Sequence, residues 1–210
     1  MINKIILQTA LILIALNTTA QTFEGKITYA NDYQSKLANL KSEQLNAMMG
    51  TKQDYYFKGS SYKSVFNGAF TKMQVYKAAE NKSYTLTGKN DTLYWEDYST
   101  NKDEAVKYEL QKNKEIILGI ACDVLIVEAN KSKTYFYFSS KYSVNPELFK
   151  QHNYGNWYYT ISKTNALPLK TVYETDQFIL TSTATEIKEL KLEDSFFEVP
   201  DKKKVAKAYW

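Results

Sequence analysis

Hydrophobic and polar residues alternate strictly where the pattern of the chain first becomes regular, just beyond residue 22. Phe23, Gly25, Ile27 and Tyr29 fall on one side of an extended backbone, and polar side chains fall on the other. Successive side chains of a strand point to opposite faces of the sheet, so this period of two predicts a β-strand with one buried face.

The spacing of apolar residues changes to that of a helix after Asn31. Asn31 and Asp32 are residue types that cap helices, and from Tyr33 to Met49 apolar residues gather on one broad side of a helical wheel. Gly50 then supplies a helix stop. We therefore predict one long helix over residues 32–49.

Short apolar and aromatic runs separated by polar turns fill the rest of the chain. Asn67-Gly68 is a strong hairpin signal, and Ala129–Ser132 separates two further strong strand patterns. Pro146 favours a short helix, and Trp157–Thr160 is interpreted as another strand. We predict a mainly β (α+β) fold: a curved antiparallel sheet, an open half-barrel of about 9–11 strands, wrapped around the one long helix.

The first twenty residues have the layout of a secretory signal peptide. Lys4 precedes an apolar run that ends at Leu16, and small residues stand at Thr18 and Ala20 before a predicted cut ahead of Gln21. The run is too short for a membrane-spanning helix. We expect a signal peptide at residues 1–20 and a single exported domain at 21–210 with no transmembrane segment, periplasmic or, as the open alternative, extracellular.

Charge and residue usage narrow the classes of function. The net charge is only +4, and all 27 basic residues are lysine, so bidentate arginine contacts to bases or carboxylates are excluded and no nucleic-acid partner is expected. Cys122 is the single cysteine, in an apolar run, and is interpreted as a small buried hydrophobe. His152 is the single histidine and is interpreted as a solvent-facing helix end. We expect no metal, no cofactor and no enzyme activity.

Three short segments carry a resemblance to known exported proteins. Gly119-Ile120-Ala121-Cys122 resembles the central segment of Bacteroidetes-type exported proteins of unknown function, including the GLPGLI-related group. Leu167-Pro168-Leu169-Lys170 and Phe196-Phe197-Glu198-Val199-Pro200 are similar to the closing strands of the lipoprotein-carrier-like (LolA/LolB-like) half-barrel. The resemblance implies an antiparallel half-barrel around a helix, with a hydrophobic cavity. The GLPGLI hexapeptide is absent, as is any arginine to gate a lid, so the resemblance does not imply lipoprotein shuttling.

Two functional hypotheses follow from the predicted layout. The first is a non-catalytic periplasmic binding or carrier-like protein with a hydrophobic groove for a lipid or another apolar ligand. The second is an envelope interaction or structural module with a filled core, a possible protein partner and an aromatic contact surface at Tyr154–Tyr159. For the first, helix face and strand alternation predict as groove-lining residues Leu45, Met48, Met49, Phe66, Trp95, Ile126, Phe136 and Phe138.

Overall fold

A computed structural model describes residues 22–199 and 204–210, and the predicted signal peptide lies outside the described residues. One sheet of twelve strands dominates the fold. In chain order the strands are β1 (Gly25–Ser35), β2 (Lys52–Lys58), β3 (Ser61–Phe66), β4 (Thr71–Lys77), β5 (Lys82–Thr87), β6 (Leu93–Asp97), β7 (Ala105–Ile117), β8 (Ile120–Ala129), β9 (Lys133–Ser143), β10 (Ala166–Glu174), β11 (Phe178–Glu189) and β12 (Val205–Lys207).

The strands follow the order β12-β6-β5-β4-β3-β2-β1-β11-β10-β9-β8-β7, which leaves β12 and β7 as open edges. Neighbouring strands pair antiparallel, except that β12 runs parallel to β6. The predicted mainly β fold with an open antiparallel sheet is confirmed, with twelve strands where about 9–11 were expected. The hairpin at Asn67-Gly68 and the β8–β9 pair are confirmed as well.

The single long helix is not present, because β1 continues through Ser35 where the helix was predicted to begin. Asn31 points inward and accepts a hydrogen bond from Ser182 Oγ at 2.7 Å, so it cannot cap a helix. Helix α1 spans only Ser42–Met49, and none of its residues is buried. Asn46 of α1 ties the helix to the end of β1 through both backbone groups of Tyr33.

A second short helix, α2 (Trp157–Thr164), forms where a strand was predicted at Trp157–Thr160. Ile161 is fully buried, and Asn156 and Asn165 flank the helix in the left-handed conformation. Two 3₁₀ turns, Pro146–Phe149 and Tyr154–Asn156, precede α2. Residues 146–164, hereafter the inner segment, pack against one face of the sheet.

Contacts made by Trp157 show that the sheet curls around the inner segment. The Trp157 ring lies 6.1 Å from the Tyr62 ring of β3 and 6.5 Å from the Phe136 ring of β9, centroid to centroid. Four strands separate β3 from β9 in the sheet order, which would place them roughly 24 Å apart in a flat sheet. A single indole can reach both only because the sheet folds over it.

The outer face is covered in part by the chain near the C-terminus. A 3₁₀ turn at Asp194–Phe197 packs on β3 and β4, and Phe197 is buried there. Lys63 places its ammonium group 4.4 Å from the centre of the Phe196 ring. Within the described residues, neither helix has the length and apolar character needed to cross a membrane.

Candidate functional site

A cavity of about 320 Å³ lies between the curled sheet and the inner segment. Strand β1, three strands on one side of it (β2–β4), two on the other (β11 and β10) and the loop after β6 contribute to its walls. Fifteen residues line it: Tyr29, Gln53, Tyr55, Tyr62, Ser64, Gln74, Tyr98, His152, Tyr154, Gly155, Trp157, Pro168, Thr171, Leu180 and Ser182.

Strand register places the polar side chains of the cavity in one row. Tyr55 of β2 lies opposite Ser64 of β3, and Ser64 lies opposite Gln74 of β4, so the three side chains share the inner face. Gln53 Nε2 donates to Ser64 Oγ at 2.9 Å, and Gln74 Nε2 donates to Tyr98 Oη at 3.1 Å. The amides are therefore held in place and keep their carbonyl oxygens as further acceptors.

His152 is buried against this row, contrary to the predicted solvent-facing position. Its side chain is 2% exposed, and its Nε2 lies 2.8 Å from Tyr62 Oη. The rings of Tyr76 and Tyr98 stand 4.6 Å and 4.7 Å from the imidazole. Burial lowers the pKa of His152 to about 3, so the imidazole is neutral at physiological pH.

Two nitrogens of cavity-lining residues are buried without a hydrogen-bond partner: His152 Nδ1 and Trp157 Nε1. The indole N–H can only donate. His152 Nδ1 lacks a partner in either tautomer: when it carries the proton its N–H has no acceptor, and when Nε2 carries the proton Nδ1 has no donor. Such orphaned groups are uncommon because each costs about 1–3 kcal/mol, and they identify this wall as a place where a ligand can supply what the protein does not.

The tyrosines of the cavity are neutral. Burial raises the pKa of Tyr29, Tyr55 and Tyr62 well above the usual tyrosine range, and the same cause raises the pKa of Tyr98. Tyr29 Oη donates to the Pro168 carbonyl at 2.6 Å, which links β1 to β10 across the sheet. With His152 neutral as well, none of the fifteen lining residues carries a charge at pH 7.

The rim of the cavity is formed by the turn before α2. The Tyr154 ring stacks on Tyr98 with centroids 4.4 Å apart and an interplanar angle of 4°. Tyr154 and Gly155 are exposed although both line the cavity. Gly155 has φ of 60°, a left-handed conformation that suits glycine and lets the chain turn into α2.

The eight residues predicted to line a groove lie elsewhere, and none of them is among the fifteen that line the cavity. Three of them are on α1, where Met48 is exposed. Phe66 is the last residue of β3, and Ile126 is half-buried on β8. Trp95 is on β6, with the Lys82 ammonium group over its ring. Only Phe136 and Phe138 come together, in a closed cluster with Leu125. The groove under a helix at 32–49 is thus not formed, and ligand contact at these positions stays a prediction. The eight are Leu45, Met48, Met49, Phe66, Trp95, Ile126, Phe136 and Phe138.

Sequence reasoning missed the tyrosines because it weighted aliphatic residues and the helix. A usable signal was present: Tyr55 with Phe57, Tyr62 with Ser64, and Gln74 with Tyr76 repeat the period of two in consecutive strands. Cys122 is fully buried, as predicted, and burial raises the pKa of its thiol. In the described part of the chain, no group of three His, Cys, Asp or Glu side chains is placed to hold a metal ion.

No family model and no curated protein matches the chain. Among solved structures, the fold is similar to PNGF-II, with 13% sequence identity and a TM-score of 0.49. The similarity covers 89% of this chain but only 32% of that chain, so this protein spans about a third of the length of PNGF-II. A likeness of this strength says nothing about ligand or activity, and the resemblance to GLPGLI-related and lipoprotein-carrier-like proteins stays a prediction.

Proposed function

We propose that this protein is a non-catalytic binding protein of the cell envelope, which takes a small ligand into the cavity beneath the inner segment. The observation that supports this most is the cavity itself, in which aromatic rings and orphaned polar groups face a space of about 320 Å³. That volume is at the lower end of the range for small-molecule sites. The exported, periplasmic location expected from residues 1–20 is part of the proposal.

The state of His152 favours binding over catalysis. A general base at neutral pH needs a pKa near the working pH. His152 has a pKa of about 3, and its Nε2 is engaged by Tyr62 at 2.8 Å. The imidazole therefore acts as a fixed polar wall that orients Tyr62, and we assign it no proton-transfer step.

Binding free energy in this site would come from aromatic surface and from the release of water. Burial of apolar surface contributes about 25 cal/mol per Å² before the costs of ordering a ligand. The rings of Tyr55, Tyr62 and Trp157 form a preformed aromatic wall. The Tyr62 ring lies 5.5 Å from the Tyr55 ring and 6.1 Å from the Trp157 ring, centroid to centroid. A preformed wall lowers the ordering cost, since few side chains must be immobilised on binding.

Dye binding to a filled cavity tests this proposal. Thr171 lines the cavity from β10, whereas its neighbour Val172 points to the opposite face of the same strand. We expect Nile red, a neutral dye, to fluoresce with the wild-type protein and with Val172→Phe, and to lose at least tenfold in affinity with Thr171→Phe, because the new ring occupies the space. Circular dichroism and thermal melting confirm that both variants fold.

Two results would contradict the proposal. Equal dye binding by the Thr171→Phe and Val172→Phe variants would place the dye outside the cavity. Exclusion of both the dye and small neutral polar solutes from the wild-type protein would favour the alternative function, an envelope interaction module whose interior is closed to ligands.

A further inference from the structure

Resting on the proposed function, we infer that the ligand of the cavity is a neutral saccharide of about one or two sugar rings, not the acyl chain expected from the sequence. Three independent features of the walls carry this assignment: their lack of charge, their supply of neutral hydrogen-bonding groups, and their flat aromatic faces. The lack of charge selects against one set of ligands, and the other two features select for a hydroxylated ring.

The lack of charge excludes ionic ligands as good occupants. None of the fifteen lining residues is ionised at pH 7, because burial keeps His152 neutral and raises the pKa of the tyrosines. An anionic or cationic ligand would lose its hydration without gaining a counter-charge, which is costly. A fatty acid, a phosphate ester or an amine therefore fits these walls poorly.

The neutral polar groups are too many for an acyl chain. Gln53, Ser64, Gln74, Thr171 and Ser182 all line the cavity beside the orphaned nitrogens of the inner segment. A hydrocarbon chain would leave His152 Nδ1 and Trp157 Nε1 without a partner, at about 1–3 kcal/mol for each, and would make no use of the spare acceptor oxygens of Gln53 and Gln74. Sugar hydroxyls both donate and accept, so they can complete the bonds of amides and hydroxyls in either direction.

The aromatic residues supply flat apolar faces next to those polar groups. Tyr55, Tyr62 and Trp157 line the cavity, while Tyr76 lies behind Tyr62 and covers one face of its ring, with ring centroids 5.0 Å apart and an interplanar angle of 14°. Tyr and Trp combine an apolar face with a polar edge, which matches a sugar ring, whose C–H groups form a face and whose hydroxyls form the rim. An aliphatic ligand has no such rim.

Saturation-transfer difference NMR with the purified protein tests the ligand class. The probes are glucose, galactose, mannose, N-acetylglucosamine and a disaccharide of each, with glucuronate as the charged control and decanol as the apolar control. We expect transfer to at least one neutral sugar, weaker or absent transfer to glucuronate, and loss of the sugar signal in Thr171→Phe with retention in Val172→Phe. Transfer to decanol alone, or to no probe, would overturn the assignment.

A matched pair of tryptophan variants tests the contact itself. Trp157→Phe keeps an aromatic ring but removes the orphaned N–H together with the five-membered ring of the indole, whereas Trp210→Phe makes the same change in a tryptophan that lies outside the cavity lining. For the sugar that binds best, we expect about a tenfold loss of affinity in Trp157→Phe, the loss of one hydrogen bond, and no change in Trp210→Phe. Equal affinity in the two variants would contradict the role assigned to the indole.

The dye and sugar results together separate the two proposals. If Nile red enters the wild-type cavity while every sugar fails, the binding function stands and the saccharide assignment is wrong. If Nile red is excluded and every sugar fails as well, the proposed function is wrong and the assignment falls with it.

Discussion

The two halves of the inner sheet face pack against the inner segment in different ways. On the half formed by β1–β4, tyrosines dominate, and their hydroxyls surround a cavity lined by Gln and Ser. On the half formed by β8–β10, a closed cluster packs against Trp157 and Tyr159, and its buried members are Leu125, Val127, Phe136, Phe138 and Ala166.

The difference between the halves follows from the hydroxyl group that tyrosine has and leucine and phenylalanine lack. A leucine or phenylalanine side chain packs with any apolar neighbour, so the second half closes to the density of an ordinary core. A buried tyrosine must also find a partner for its hydroxyl, which draws polar side chains and backbone carbonyls inward. The first half therefore retains a polar interior space, whose far wall is completed by β10 and β11, and binding is assigned to this space while the closed cluster of the other half supplies stability.

The largest expected effect is on the closed half. Leu125→Ala should lower the free energy of unfolding by about 2–5 kcal/mol, because Leu125 is fully buried and the smaller side chain leaves a cavity. Urea unfolding monitored by circular dichroism measures this, with Val106→Ala, at an exposed position of β7, as the control. A loss below about 1 kcal/mol for Leu125→Ala would show that the closed half does not provide the stability assigned to it.

The next effect concerns how the free energy of unfolding depends on pH through His152, which packs on the tyrosine-rich half formed by β1–β4. The folded protein holds His152 neutral with a pKa of about 3, whereas the unfolded chain titrates near 6.5. Below pH 6.5 the unfolded chain binds a proton that the folded protein does not. The stability contribution is therefore full above pH 6.5 and is lost as the pH falls toward 3.

Between pH 6.5 and 4, the wild type should lose about 3 kcal/mol more than His152→Phe, at about 1.4 kcal/mol per pH unit. The carboxylates affect both proteins alike, so the difference between their pH profiles isolates His152. Parallel profiles in urea unfolding would mean that the imidazole is not buried in the neutral form.

A smaller effect is expected from a single hydroxyl on the same half. Tyr76 Oη donates to Asn81 Oδ1 at 2.8 Å, and both groups are buried. Tyr76→Phe should cost about 1–2 kcal/mol, because it leaves the Asn81 oxygen without its partner. Thermal or urea unfolding checks this beside Tyr209→Phe, a control at an exposed position. A neutral Tyr76→Phe would weaken the link between hydroxyl pairing and the shape of this half.

The smallest effect is expected outside both halves, on α1. Met48 is 44% exposed, so Met48→Ala should change the free energy of unfolding by less than about 0.5 kcal/mol. Had residues 32–49 formed a helix packed in the sheet, the same change would cost about 2–5 kcal/mol. Chemical denaturation distinguishes the two magnitudes, and the larger loss of stability would favour the predicted long helix over the exposed α1.

Local signals in the sequence were sufficient to predict the open antiparallel sheet but not the segments that pack against it. The alternation at Phe23–Tyr29 and the turn at Asn67-Gly68 need no distant information, and both are confirmed. The helix at 32–49 failed because Asn31 pairs with Ser182, a residue 151 positions away, and this pairing extends β1. Trp157–Thr160 failed because a short aromatic run suits a strand and a buried helix equally well.

The candidate site was harder to predict than the sheet because its members are distant in sequence. His152 was interpreted from its polar neighbours in the chain, yet its neighbours in space are Tyr62, Tyr76 and Tyr98, from β3, β4 and the loop after β6. Only the curling of the sheet brings these rings to the inner segment. The sequence predicts a curved sheet, but it does not predict which rings the curvature brings together.

Native mass spectrometry of the protein purified gently from the cells that make it tests the central claim most directly. We predict a reproducible adduct with the mass of a small neutral molecule, lost on denaturation, present in Val172→Phe and absent in Thr171→Phe. An unmodified mass for the wild-type protein, or an adduct that persists in Thr171→Phe, would contradict a ligand site in the tyrosine-lined cavity.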